Sequence, residues 1–141
     1  MAREYITAEL RRLIIDRARG CCEYCQFPMR FSLDSMEIDH ILQVSLGGVT
    51  IAENLAFACH GCNQYKHNRA KGVDVSSNRE VPLYHPRLMN WETHFAWSED
   101  TTHVVGKTPT GRVTVQLLKM NRAGAVNLRR VLNMSGDHPP S

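Results

Sequence analysis

Leu10, Leu13, Ile14 and Arg17 recur at three- and four-residue intervals behind Thr7, whose hydroxyl suits a helix cap, and the pattern stops at Gly20. An amphipathic helix follows from this. Met36 to Leu42 is a short strand-like run with Asp39 and His40 at its middle. It ends near Ser45-Leu46-Gly47-Gly48, where paired glycines allow a tight or left-handed turn. Asn54 precedes a second apolar run, Leu55 to Ala58, which reads as a return strand, and Asn63 to Ala70 has the composition of a short basic helix.

Beyond Gly72 the pattern predicts less regular structure. Asp74 to Glu80 is polar and reads as a loop, and Pro82 and Pro86 mark an irregular connection. Trp91, Phe95 and Trp97 form an aromatic patch that favours packing over base stacking. Thr102 to Lys119 reads as two strands around Thr108-Pro109-Thr110-Gly111, with Val113, Val115 and Leu117 alternating; Asn121 to Leu132 reads as a basic helix and GDHPPS as a frayed tail. The expected class is therefore α+β, with an N-terminal helix and a C-terminal β-hairpin and helix as extension.

The 141 residues suffice for one domain with decorations, divided into a core over residues 1–72 and an extension over residues 73–141 packed on it. The first ten residues are charged from the third onward, unlike a secretion signal, and no apolar run approaches the roughly 18 residues that cross a bilayer. A cytoplasmic protein without a membrane partner is expected. In that reducing setting five cysteines are metal ligands or buried apolar groups rather than disulfides.

Cys22 and Cys25 form one C-x2-C turn and Cys59 and Cys62 another, with 33 residues between the pairs. Each turn offers two thiolates from one tight loop, and two such turns close a tetrahedral structural zinc site. A bare zinc ribbon needs only about 15–20 residues between its pairs, so the longer insert must fold into something of its own. Cys21 has no assigned role.

The insert and its exit bring Asp39-His40, Asn54, Asn63 and His67 in order. On a continuous helix Asn63 and His67, four apart, share a face. Asp39 and His40, adjacent on a strand, diverge unless a bulge or the strand end splays them about one spot. The string EIDHILQVSLGGVTIAENLAFACHGCNQYKHNR, with its DH, GG, ENL and CxxCN elements, resembles the HNH endonuclease family in its four-cysteine form. The resemblance spans about residues 7–72.

It implies a ββα-metal (His-Me finger) core, a DNA substrate, and products with 5′-phosphate and 3′-hydroxyl ends. Position by position it implies His40 as general base, Asp39 as a ligand of one divalent metal, and Asn54 as the residue fixing the loop that carries His40. It further implies His67 as the helical metal ligand, and Asn63, standing where many members carry a third histidine, as a ligand bound directly or through water. Phosphodiester hydrolysis needs an activated water, relief of charge in the transition state and help for the departing 3′ oxygen. A carboxylate, amide and imidazole set suits Mg²⁺ or Mn²⁺ foremost, with Ni²⁺ or Zn²⁺ as alternatives.

The net charge of +3 is modest, but its distribution is uneven. Lys66, Arg69 and Lys71 lie in an acid-free stretch, as do Arg112, Arg122, Arg129 and Arg130, and both stretches are candidate DNA-backbone contacts, with solvated surface as the plain alternative. Two competing readings are a zinc-organised nucleic-acid-binding module without catalysis and a protein-interaction domain. The oligomeric state, monomer or homodimer, is left open by the sequence.

Overall fold

The computed structural model describes residues 5–140. The charged start Met1–Glu4 and the tail's last residue, Ser141, lie outside the described residues. The chain divides into two compact units, the first ending at Ala70 and the second beginning at Lys71. Both mix helices with two-stranded sheets, which is the α+β class.

In the first unit, helix α1 (Ala8–Arg17) begins where the Thr7 hydroxyl accepts the Leu10 N–H at 3.1 Å. It ends as Arg19 and Gly20 turn left-handed and the Gly20 N–H reaches the Ile15 carbonyl. Strand β1 (Glu37–His40) pairs antiparallel with β2 (Leu55–Ala58), and helix α2 (His60–Lys66) follows directly. Alternation along the pair divides the chemistry. Leu55 and Phe57 form a buried core with Ile14 of α1, joined by Ile38 and Met36, while Asp39 and Ala56 occupy the opposite side. Burying Ile14, Leu55 and Phe57 contributes roughly 1.5–3 kcal/mol each, which holds the sheet against α1.

Helix α2 corrects the sequence reading at both ends. It starts three residues before Asn63, because the Cys59 sulfur accepts the Cys62 N–H and caps it, and it stops at Lys66, well short of Ala70. His67 takes φ 53° and leaves the helix, so Asn63 and His67 do not share a helical face.

The second unit departs further from expectation. Lys71–Asp74 (β3) and Arg79–Pro82 (β4) form a hairpin where a loop was expected; its turn is built by Asp74, which accepts from the Ser77 N–H and hydroxyl. A short helix α3 (Trp91–His94) leads into β5 (Phe95–Trp97), which pairs with β6 (Val104–Gly106). The expected second strand after Thr108 is instead helix α4 (Pro109–Leu117), capped by the Thr108 hydroxyl with proline at its first position. Helix α5 (Ala123–Met134) begins and ends two residues later than the Asn121–Leu132 expected. The tail is anchored rather than frayed at His138, which is buried, bonds the Thr101 carbonyl at 2.7 Å and packs edge-on against Trp97.

Candidate functional site

Two cysteine turns from distant parts of the first unit meet in its interior. The sulfurs of Cys22, Cys25, Cys59 and Cys62 all lie within 4.8 Å of one another, and all four residues are buried. Tetrahedral zinc with bonds of about 2.3 Å sets its sulfurs about 3.8 Å apart. The Cys25–Cys59 separation is 3.7 Å. In both turns the first sulfur accepts the N–H of the last cysteine at 3.4 Å, as a thiolate pair requires. Burial pushes the Cys22 thiol well above its ordinary range, so four adjacent thiolates need a cation, and a structural zinc fits the donor set. Cys21 is partly exposed and lies outside the cluster. Glu23 ties the knuckle to the sheet: its N–H donates to the Phe57 carbonyl and its carboxylate accepts the Phe57 N–H, both at 2.8 Å.

The same turn projects Tyr24 into the interior, where its hydroxyl donates to Asp39 at 2.6 Å. Lys66 enters from α2. Its ammonium lies 3.1 Å from one Asp39 oxygen and 3.3 Å from the other, and neither side chain exposes more than 1% of its surface. The ammonium also donates to the main-chain carbonyls of His40 at 3.3 Å and Ile41 at 3.0 Å, and Gln43 donates to Asp39 at 3.1 Å. Burial pushes the Asp39 carboxyl above its usual range, against the opposing pull of Lys66 and the Tyr24 hydroxyl. Burial, reinforced by the neighbouring Asp39, pushes Tyr24 up in turn.

His40 ends β1, and the register with β2 runs through it without a bulge. Ordinary strand alternation therefore places His40 on the face opposite Asp39, and neither a bulge nor the strand end splays the two about one spot. The Nε2 of His40 lies 2.8 Å from the Thr50 hydroxyl, and its Nδ1 has no hydrogen-bond partner among the described residues. Between them runs a loop that Asn54 clasps with one amide: Oδ1 accepts the Leu42 N–H, and Nδ2 donates to the carbonyls of Leu42 and Val49. Gly47 supplies a left-handed φ of 96°. Gly48 packs so closely that a Cβ would stand 1.7 Å from the Leu42 carbonyl oxygen.

Asn63 faces Glu37 rather than Asp39: its amide donates to one Glu37 oxygen, while His60 Nδ1 contacts the other at 2.6 Å. The Glu37 carboxylate raises the His60 pKa. His67 is exposed. Asp39, Asn63 and His67 are thus committed separately, Asp39 to a buried ammonium, Asn63 to Glu37 and His67 to the surface. As arranged, they do not form a ready site for a hard divalent metal.

Two basic residues are corrected. Lys66 is not a DNA contact, because its charge is buried on Asp39. Neither is Arg129, which is buried and donates to the carbonyls of Thr102 and Met120 and to Asn121. Arg112 is held bidentately by Asp74, and Lys71 pairs with Glu80 at 3.2 Å. Arg122 donates to the Lys119 carbonyl and is half-buried. Arg69 and Arg130 are exposed, and among the described residues their side chains bond to Tyr65 and Asn127, near them in the chain. Tyr24, Glu37, Gln43 and Thr50 escaped sequence reasoning. A tyrosine inside a C-x2-C turn and a glutamate two residues before Asp39 on the same strand face were the available signals.

Residues 22–69 match the family model described as HNH endonuclease. Over 63 residues the chain is 40% identical to the CRISPR-associated endonuclease Cas9 of Corynebacterium diphtheriae, a stretch covering 43% of this chain and 6% of that protein. The chain therefore corresponds to a small part of the length of that relative. No solved structure matches it significantly.

Proposed function

Because residues 22–69 match the HNH endonuclease family model, we propose that this chain is a nuclease that hydrolyses phosphodiester bonds in DNA with His40 as the general base. One observation carries the reading. His40 stands at the end of a zinc-framed strand with one ring nitrogen bonded to Thr50 and the other without a protein partner. An imidazole so held takes a proton from a water attacking phosphorus, while the 3′ oxygen departs. Asn54 serves as a positioning residue, since its amide spans the loop between Leu42 and Val49.

The family resemblance implies a divalent metal, which in such a site would lower the charge on the phosphate. No step is assigned to Asp39, Asn63 or His67 as its ligands, because a cation binding Asp39 would have to displace the Lys66 ammonium 3.1 Å away. That same pairing favours a second reading, a nucleic-acid-binding module without catalysis. Nicking of supercoiled plasmid separates the two. With Mg²⁺, Mn²⁺, Ni²⁺ or no added metal, the wild-type chain is expected to nick in at least one condition, and His40→Ala to lose about 10²-fold or more while keeping its zinc and fold. Equal nicking by the variant removes His40 as base, and no nicking in any condition favours the binding module.

A further inference from the structure

We propose that Thr50 is the positioning residue that sets the tautomer and orientation of His40, an inference that rests on the general-base reading of that histidine. The contact joins Nε2 of His40 to the Thr50 hydroxyl at 2.8 Å, while Nδ1 has no hydrogen-bond partner among the described residues. A neutral imidazole carries one proton. If it sat on Nδ1, Nε2 would accept from Thr50 and no lone pair would be left for a water. If it sits on Nε2, the hydroxyl oxygen accepts it and Nδ1 keeps the lone pair that proton abstraction requires. The general-base role therefore requires the second arrangement, with Nε2 donating to the Thr50 hydroxyl.

The fold presents Thr50 for this purpose from the far side of the loop. Thr50 follows Val49, whose carbonyl is held by the Asn54 amide at 2.9 Å, and His40 lies two residues before Leu42, which the same amide holds by both its N–H and its carbonyl. A single clasp therefore fixes both partners of the His40–Thr50 contact. The close packing of Gly48 on the Leu42 carbonyl shortens the path between them. Thr50 is half-buried, as is His40, so the bond is partly shielded from competing water while the ring keeps solvent access.

The test uses the full chain, zinc-loaded, in two measurements. Nitrogen-15 NMR of the His40 ring, above the pH where imidazole titrates, is expected to show a protonated Nε2 and a bare Nδ1. Thr50→Val keeps the shape and removes the acceptor; it is expected to mix the two tautomers and to slow single-turnover plasmid cleavage by about ten- to a hundred-fold, with zinc content unchanged. Thr50→Ser is expected to restore both readouts. A proton on Nδ1 in the wild type overturns the proposal, as does a Thr50→Val variant whose ring spectrum and rate match the wild type. If His40→Ala cleaves as fast as the wild type, or no cleavage occurs, the general-base reading fails, and the catalytic part of this proposal fails with it. The ring spectrum still decides whether Thr50 sets the tautomer.

Discussion

Replacing Lys66 by methionine keeps most of the apolar stem and removes the ammonium that Asp39, His40 and Ile41 share. Asp39 is then left in the interior with the Tyr24 hydroxyl and the Gln43 amide and no cation, its side chain entirely shielded from solvent. Breaking a buried pair in this way costs about 3–5 kcal/mol. That corresponds to roughly a hundred- to several-thousand-fold in the local opening equilibrium. Hydrogen exchange followed by mass spectrometry, on peptides covering β1 and α2, reads this as faster exchange.

The sign with pH is fixed by Asp39. Burial already raises its folded pKa above the unfolded value, and removing Lys66 raises it further. A carboxyl so perturbed is harmless below the unfolded pKa, about 4, and costs stability as pH rises toward the folded pKa. The deficit of Lys66→Met should therefore be small near pH 4 and grow toward neutrality. Adding Asp39→Leu should recover much of it, since an apolar pair avoids the unpaired charge. A loss below 1 kcal/mol at neutral pH, or one that grows on acidification, refutes the reasoning.

Gly48→Ala drives a methyl into the Leu42 carbonyl and is expected to lower cleavage about a hundred-fold in the plasmid assay. Gly47→Ala, in open space but left-handed, should cost only about 1–2 kcal/mol and spare most activity. Arg129→Ala removes three hydrogen bonds of a buried charged group and is expected to destabilise the second unit by about 3 kcal/mol or more in urea unfolding. Arg130→Ala should leave stability unchanged; DNA polarisation titrations at two salt concentrations then ask whether it reduces the salt slope. Thr102 and Ser98 hold the Asp100 carboxylate down to about 2, so the stability it contributes is complete above the unfolded pKa and is lost as pH falls through about 2, which carbon-13 titration of its carboxyl can follow.

Local patterns told most where local physics decides. The two C-x2-C turns come together as a four-sulfur cluster that fits a metal, and the apolar runs around Asp39 and after Asn54 pair to cover Leu55 and Phe57. Lys66 was not legible, since a lysine in a basic stretch belongs on the surface unless tertiary packing supplies a carboxylate and carbonyls to receive it. Arg129 was hidden for the same reason. The misreading of Val113, Val115 and Leu117 as a strand arose because a short apolar run can satisfy two periods at once, and the Thr108-Pro109 pair was the decisive local signal for a helix start. The β3–β4 hairpin was concealed by its polar turn, whose order comes from the bonds Asp74 makes to Ser77 and Arg112.

The most direct test of the account is chemical rescue of His40. A zinc-loaded His40→Gly variant leaves a gap where the imidazole stood, and plasmid cleavage by that variant is measured with and without added imidazole. If His40 is the base, the variant is inactive alone and imidazole restores cleavage in a concentration-dependent way. A variant that cleaves at the wild-type rate without imidazole contradicts the account.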